Sequence, residues 1–554
     1  MFSFIWRKNR RTPAVHKPQS RFRPRLEALE DRCLLSGGVL DPTFVSGGIV
    51  TTTAGGLSNA FAVATYPAGS ANAGEVVAVG DAQVGTVNKP KVEPAIVRYN
   101  TNGTLDTSFG GTGEVIMNLK NGGMARDVVV QPDGKVVVAY SSGGTFNLAR
   151  YNANGGLDTS FGGQGTGMVS TSTGKFTTDT AYSLALEPSG DIVVAGTVSS
   201  STGTNLAVLR YTAGGLLDTS FGAGGIVTTQ LPAPVYTSTV GNENSINLAL
   251  DTSPSDPNAG DIVVVAELNT TGQPAVVVRY NAGGSLDTSF GGGAGYETLS
   301  NLALAPSVAI NSDGDIIVAG QGSANHDSVE LDCLNPNGSF NTTFGSGGSA
   351  VLNQEPNTTD LARDVTIQAD GQIVVAGVYD NNSTGAQNFF VARFNSADGS
   401  LDTSFGTGGV VTVSSGSNTG LAMVGLALEP DGRIVVAGTP SSTPGFTLAR
   451  FVAYGPEVGS FTASPNPVTA GSDLTLTASN ISDEIPSASI TQVAFYVDIN
   501  GTNTLLGYGT QSSTGVWTLT FTVNLAPGTY TLYAQAEDGY GIFGDLAPLA
   551  LTVQ

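Results

Sequence analysis

The chain is poor in the residues that most often carry chemistry. In 554 residues it has two cysteines, two histidines and two tryptophans, and 12% of its side chains are charged. Cys33 and Cys333 cannot build a disulfide framework, which leaves the redox compartment open. His16 and His326 are the only imidazoles. A Cys333–His326 nucleophile or metal pair therefore lacks the further ligands or the third group that such sites need. No apolar run approaches the roughly 20 residues of a membrane helix, so no membrane span is expected. Helical periodicity is missing throughout.

Basic charge is also scarce, and it is unevenly placed. Residues 1–36 carry a net +6, whereas the remainder carries a net −28. A body of that sign repels phosphate at range, which argues against nucleic acid as a partner and against the basic segment being a nucleic-acid tail. The basic segment lacks the apolar core of a secretory signal, since only MFSFIW precedes its charges.

What is abundant is glycine, 74 residues of it, and repetition. A Leu-Asp-x-x-Phe cassette starts at Leu40, Leu105, Leu157, Leu217, Leu286, Phe340 (as Phe-Asn) and Leu401. The intervals of 65, 52, 60, 69, 54 and 61 residues are those of a propeller or solenoid. After each cassette come a Gly-rich turn and short strand, an alternating strand such as YSLALEP, a turn and an apolar run such as PDGKVVVAY, and a closing strand such as NLARYN. In Pro-Asp-Gly, Pro sets φ, Asp bonds its own backbone and Gly accepts positive φ, so the two runs form a hairpin. Four strands in each of seven units predict an all-β chain with a seven-bladed β-propeller over 39–453; a linear β-solenoid is the other architecture considered.

Arginine and aspartate covary among the units. Arg98, Arg150, Arg210, Arg279 and Arg393 precede Asp106, Asp158, Asp218, Asp287 and Asp402 by eight or nine residues. In the deviant unit, Asp332 is aligned with the arginines, Cys333 with the core aromatics, and Asn341 with the carboxylates. A planar guanidinium facing a carboxylate accounts for the pattern, as a structural buckle. Arg450 has no cassette after it and Asp41 has no arginine strand before it, so the two are expected to pair and close the ring, because an open ring would leave sheet edges bare. No catalytic residue is assigned. Asp251, Asp256 and Asp261 are weak calcium candidates in a Pro/Gly loop without the regular spacing of a calcium loop; no other cofactor is expected. The longer segments Ala82–Pro94, Gln230–Ser245, Asp251–Gly260 and Asp380–Gln387 are read as loops able to carry binding.

Two resemblances add to this. LEALEDRCLLS (Leu26–Ser36) resembles the LEPRxLL-type motif of exported planctomycete proteins, with Asp31 where that motif has Pro; it implies that 1–38 is a sorting segment and the protein extracellular or cell-surface. The LDTSFG, PDGKVVVAY and LARYN segments resemble the delta-60 repeat family, which implies a propeller-like array without assigned catalysis. After Phe451 about seven alternating segments fill 455–554, as in an immunoglobulin-like β-sandwich, with Phe495 and Trp517 in its core and Tyr530 or Tyr533 at its corner. The function expected is a non-enzymatic surface scaffold binding protein or glycan. The alternative is a secreted hydrolase or lactonase working through loop carboxylates.

Overall fold

The computed structural model describes Gly37–Gln554 except for residues 46, 87–88, 175–177, 202, 238–245, 254–256, 324–327, 354–357, 382–385, 415–420, 441–443, 484, 486–487 and 500. The basic segment and its LEPRxLL-like motif lie outside these residues. No α-helix occurs among them, and none of their helices is long and apolar enough to cross a membrane.

The chain forms a β-propeller of seven four-stranded antiparallel blades. Blade 2 is typical: Met124–Val130 innermost, then Val136–Ser142, Thr145–Tyr151 and, outermost, Met168–Thr171. The apolar run makes the second strand because both of its faces are covered by neighbouring blades; Val136, Val137, Val138 and Ala139 are wholly buried. Blades 4 and 5 share one long strand, Tyr296–Ile310, whose first residues end blade 4 and whose last residues begin blade 5. Segment 82–94 is not a loop. The alternating residues on both sides continue the ladder of Val76–Thr86 with Lys89–Tyr99 out to the pair Thr86–Lys89.

Blades are offset from the sequence repeat by one strand. The arginine strand is third in its blade, and the short strand after each cassette is the outer strand of the same blade. One strand is therefore supplied from the other end of the chain. Blade 7 consists of Leu421–Leu428, Ile434–Pro440 and Phe446–Val452, with Ile49–Thr52 as its outer strand and Val39–Leu40 paired further along Phe446–Val452. On the inner side, Thr65 Oγ1 donates to the Leu428 carbonyl at 2.6 Å, and Ala60 N donates to Thr439 Oγ1 at 2.8 Å. The circle is closed.

Beyond the ring, Glu457–Ser464, Asp473–Ser482, Val516–Thr522 and Thr510–Ser513 form one four-stranded sheet. Thr502–Tyr508, Ile490–Ile499, Gly528–Asp538 and Ala547–Val553 form a second. The two share a core that includes Leu474, Phe495, Trp517 and Leu532. Val452, Ile485 and Ile542 pack together where this unit meets blade 7.

Candidate functional site

Two constellations recur with the blades: arginine networks near the cassettes and a polar ring around the central channel. In the networks, each arginine Nε donates to the cassette carboxylate: Arg98 to Asp106 at 2.6 Å, Arg150 to Asp158 at 2.9 Å, Arg210 to Asp218 at 2.8 Å. Arg279 reaches Asp287 and Arg393 reaches Asp402, both at 2.7 Å. Arg450 reaches Asp41 at 2.9 Å, across 409 residues of chain. The carboxylate also bonds the Ser or Thr two residues on, as Ser160 N and Oγ do to Asp158. Burial pushes the Asp158 pKa up, but the Ser160 hydrogen bonds and the charge of Arg150 outweigh it, and the net direction is downward.

The arginines do more than the spacing indicates. The guanidinium lies over the cassette phenylalanine, 4.6 Å from the Phe161 ring for Arg150 and 4.5 Å from Phe44 for Arg450. Its Nη1 crosses to the following blade: Arg150 to the Ala213 carbonyl at 2.6 Å, Arg210 to Ala282 at 2.6 Å, Arg393 to Ala453 at 2.7 Å, Arg450 to Thr101 at 2.6 Å. A further acceptor stands at the end of the innermost strand: Tyr66 for Arg98, Gln131 for Arg150, Glu187 for Arg210, Glu429 for Arg450. The buckle is thus an inter-blade latch. The repeated polar residue before Pro-x-Gly was the available signal for that last partner.

At the closing blade the network is largest. Asp41 is fully buried and accepts from Arg450 and from Arg433 Nη1 at 3.1 Å, and Arg450 also bonds Glu429 at 3.0 Å. Burial raises the Asp41 pKa, but Thr43 and the two arginines lower it further, so it lies below the usual range. Burial dominates at Glu429, which is raised to about 7 despite Arg450 and Arg433. Phe405 of blade 6 packs against Gly38, whose φ is +72° and whose Cβ would stand 2.5 Å from Gly406 N. Only glycine fits there, so the entering segment takes the place of the loop that caps this cassette phenylalanine elsewhere.

Blade 5 requires a correction. Cys333, not Asp332, stands in the arginine position: Cys333 pairs with Ile317 as Arg150 pairs with Val137, and Asn341 N donates to the Cys333 carbonyl as Asp158 N does to Arg150. Leu334 takes the aromatic position. Spacings of eight and nine both occur among the pairs, so sequence distance could not fix the alignment. Asn341 Nδ2 donates to Asp315 at 3.0 Å, and burial lifts the Cys333 thiol to about 12, an unreactive state. Asp332 instead accepts from Asn301 and Ser349, and burial raises it to about 6. His326 lies outside the described residues. Replacing Asn341 with Asp should place a second carboxylate beside Asp315 and cost about 1–3 kcal/mol. Adding Cys333→Arg should recover most of that loss, as measured by urea midpoints.

Of the calcium candidates, Asp251 and Asp261 are neighbours, Asp251 N donating to the Asp261 carbonyl at 2.9 Å. Asp251 accepts from Ser253 N at 3.0 Å, and Asp261 lies 3.6 Å from Arg279 and is raised to about 6 by burial. Asp256 is outside the described residues. Among those described, no group of three or more His, Cys, Asp or Glu could hold a metal ion.

The channel site was not foreseen. All seven innermost strands line a cavity of ≈ 220 Å³. One register position recurs around it, opposite the fourth residue of each second strand: Ala62, Asp127, Ser183, Asn247, Ser307, Asp364 and Gly425. An innermost strand has no neighbour on its channel edge, so its amides need other acceptors. The preceding blade supplies them. Leu184 N donates to Asp127 Oδ2 at 2.8 Å, Leu426 N to Asp364 Oδ2 at 2.9 Å, and Val365 N to Ser307 Oγ at 3.3 Å. Ser183 Oγ reaches Asp127 at 3.1 Å, and Ser307 Oγ reaches Asp364 at 2.9 Å. Both carboxyls keep partial exposure to the channel yet lie deep in the ring. Burial raises Asp127 to about 7, with Asp364 adding repulsion, and raises Asp364 itself to about 6. The tetrapeptide Ala-Arg-Asp-Val occurs at Ala125–Val128 and again at Ala362–Val365. That identity was the overlooked signal.

A family model described as a beta-propeller domain of unknown function (DUF5122) matches the chain seven times, over residues 74–109, 131–161, 187–221, 260–290, 311–344, 368–405 and 429–453. The chain is a β-propeller repeat protein. No curated protein matches it. Among solved structures it is similar to a protein of unknown function from Dyadobacter fermentans, 10% identical, with 74% of this chain and 99% of that one covered at a TM-score of 0.38. It is also similar to a puromycin hydrolase mutant complexed with PGG, 14% identical, covering 76% and 58% at 0.39. Prolyl oligopeptidase B from Galerina marginata is 10% identical, covering 77% and 56% at 0.37. The chain thus spans a little over half the length of these last two.

Proposed function

We propose that this protein is an exported, cell-surface binding scaffold: a propeller platform for a protein or glycan partner, carrying an immunoglobulin-like domain and working without catalysis. The observation that carries this reading is that both recurring carboxylate sets are engaged by partners within the ring. The cassette carboxylates face arginines, and each channel carboxyl accepts three hydrogen bonds from the frame, so neither constellation presents an activated nucleophile. The net charge of −28 outside the basic segment suits a soluble surface module. The immunoglobulin-like reading is supported by the two-sheet strand order and by Tyr530, whose hydroxyl donates to the Ala526 carbonyl at 2.9 Å, as a tyrosine corner does.

A second reading, a secreted hydrolase or lactonase, is favoured by one observation: Asp127 and Asp364 share an enclosed polar channel and titrate near neutrality, as catalytic carboxyls do. One experiment separates the two. The full chain is applied to a glycan array with and without Ca²⁺, and assayed against panels of glycosides and lactones. The scaffold reading expects saturable binding and no turnover. Turnover that disappears in an Asp127→Ser/Asp364→Ser variant would replace it with the enzyme. Protease shaving of intact cells checks the location, with loss of the protein from the shaved surface expected.

A further inference from the structure

The inner edge of the ring is held differently at different seams. At the seam between blades 2 and 3 and at that between blades 6 and 7, the acceptor of the next blade's amide is an ionisable carboxyl; between blades 5 and 6 it is a serine hydroxyl. The charged groups facing these carboxyls are few. Of the described residues lining the channel, blades 1, 3, 4, 5 and 7 contribute none that titrates, and blade 6 contributes Arg363 beside Asp364. On the strand of Asp127, Arg126 turns to the Tyr182 ring at 5.5 Å and towards Asp81. Asp127 and Asp364 therefore face mainly each other, uncharged dipoles and one guanidinium.

We propose that Asp127 and Asp364 are proton-operated latches, holding the inner seams of blades 2/3 and 6/7 tightly when protonated and loosening them when both ionise. A protonated carboxyl still accepts the Leu184 or Leu426 amide, more weakly than a carboxylate would, but burial of the charge outweighs that difference at both sites. Ionisation places two like charges on the wall of one channel, each partly withdrawn from water. Their raised titration agrees in sign. A carboxyl that titrates higher in the folded than in the unfolded chain adds stability below the unfolded value, near 4, and that stability fades as pH rises through about 6 to 7. The inference concerns the ring alone and does not depend on the scaffold reading.

Amide hydrogen exchange tests it on the full chain. After correction for intrinsic rates, protection of the Leu184 and Leu426 amides should fall about tenfold or more between pH 5.5 and 8, the equivalent of one pKa unit or more. The buried amide of Ala60, held across the blade 7/1 seam by Thr439 Oγ1 at 2.8 Å with no carboxyl involved, should change far less. In Asp127→Ser/Asp364→Ser the fall should vanish, because serine does not ionise and in blade 5 Ser307 Oγ at this position already accepts the next blade's amide. Each single variant should lose the response at its own seam and weaken it at the other, where the repulsion is gone, which keeps the test open if the double variant does not fold. Unchanged protection in the native chain, or an equal fall in the serine variants, would overturn the proposal.

Discussion

Replacing Arg450 with alanine should destabilise the ring by about 3–5 kcal/mol, the range for removing one partner of a buried ion pair. The change strands two carboxylates at once. Asp41 and Glu429 both have fully buried side chains, and Arg433 alone cannot reproduce the bond across to the Thr101 carbonyl of blade 1. Denaturant midpoints report the loss, and limited proteolysis should show the first cuts within residues 37–52, the segment that Arg450 fastens. Arg210→Ala offers the contrast. Its side chain is 13% exposed and its Glu187 and Asp218 partners 16%, so water can take over part of the work and a smaller effect is expected. The double variant Asp41→Ala/Arg450→Ala should be more stable than Arg450→Ala alone, since it no longer buries a carboxylate left with Arg433 as its one cationic partner.

Phe161→Ala should cost a similar amount, about 3–5 kcal/mol, by a different mechanism. The ring is wholly buried, lies under the Arg150 guanidinium, and abuts Gly215 of the following blade, where a Cβ would come within 2.5 Å of it. Truncation leaves a cavity at the blade 2/3 seam and removes the face on which the cation rests. Gly215→Ala attacks the same joint from the other side, and its φ of +81° adds backbone strain. Because the two residues touch, their effects should be less than additive. Thermal unfolding of the three variants checks this directly.

The contrast between what could be read from residues and what could not follows from periodicity. Units of four strands were legible because the apolar second strand, such as Val136–Ser142, and the Gly-containing turn before it recur in every unit. The Asp41–Arg450 distance of 2.9 Å across the whole ring concerns two residues singled out because each lacked a partner in its own repeat. The phase of the repeat was less legible. A blade begins at its innermost strand, whereas the most conspicuous sequence landmark, the cassette, falls between the third and outer strands. Cys333 was misplaced by one residue because the turn before the cassette tolerates eight or nine residues. The channel ring was invisible for a further reason. Its seven members, from Ala62 to Gly425, share a position but no chemistry, and their common role rests on inter-blade contacts that no local pattern encodes. Likewise Gly38 reveals its purpose only when Phe405 is seen above it.

The central claim is that residues 37–52 complete blade 7, and cross-linking at the seam tests it most directly. Thr51 and Thr447 are register partners whose hydroxyl oxygens lie 2.8 Å apart, Thr51 exposed on the outer strand and Thr447 buried beside it. In a chain with Cys33 and Cys333 replaced by serine, Thr51→Cys/Thr447→Cys should form an intramolecular disulfide under mild oxidation, visible as a faster-migrating monomer on a non-reducing gel. A double variant that stays reduced, or that links only between molecules, would contradict the closed ring.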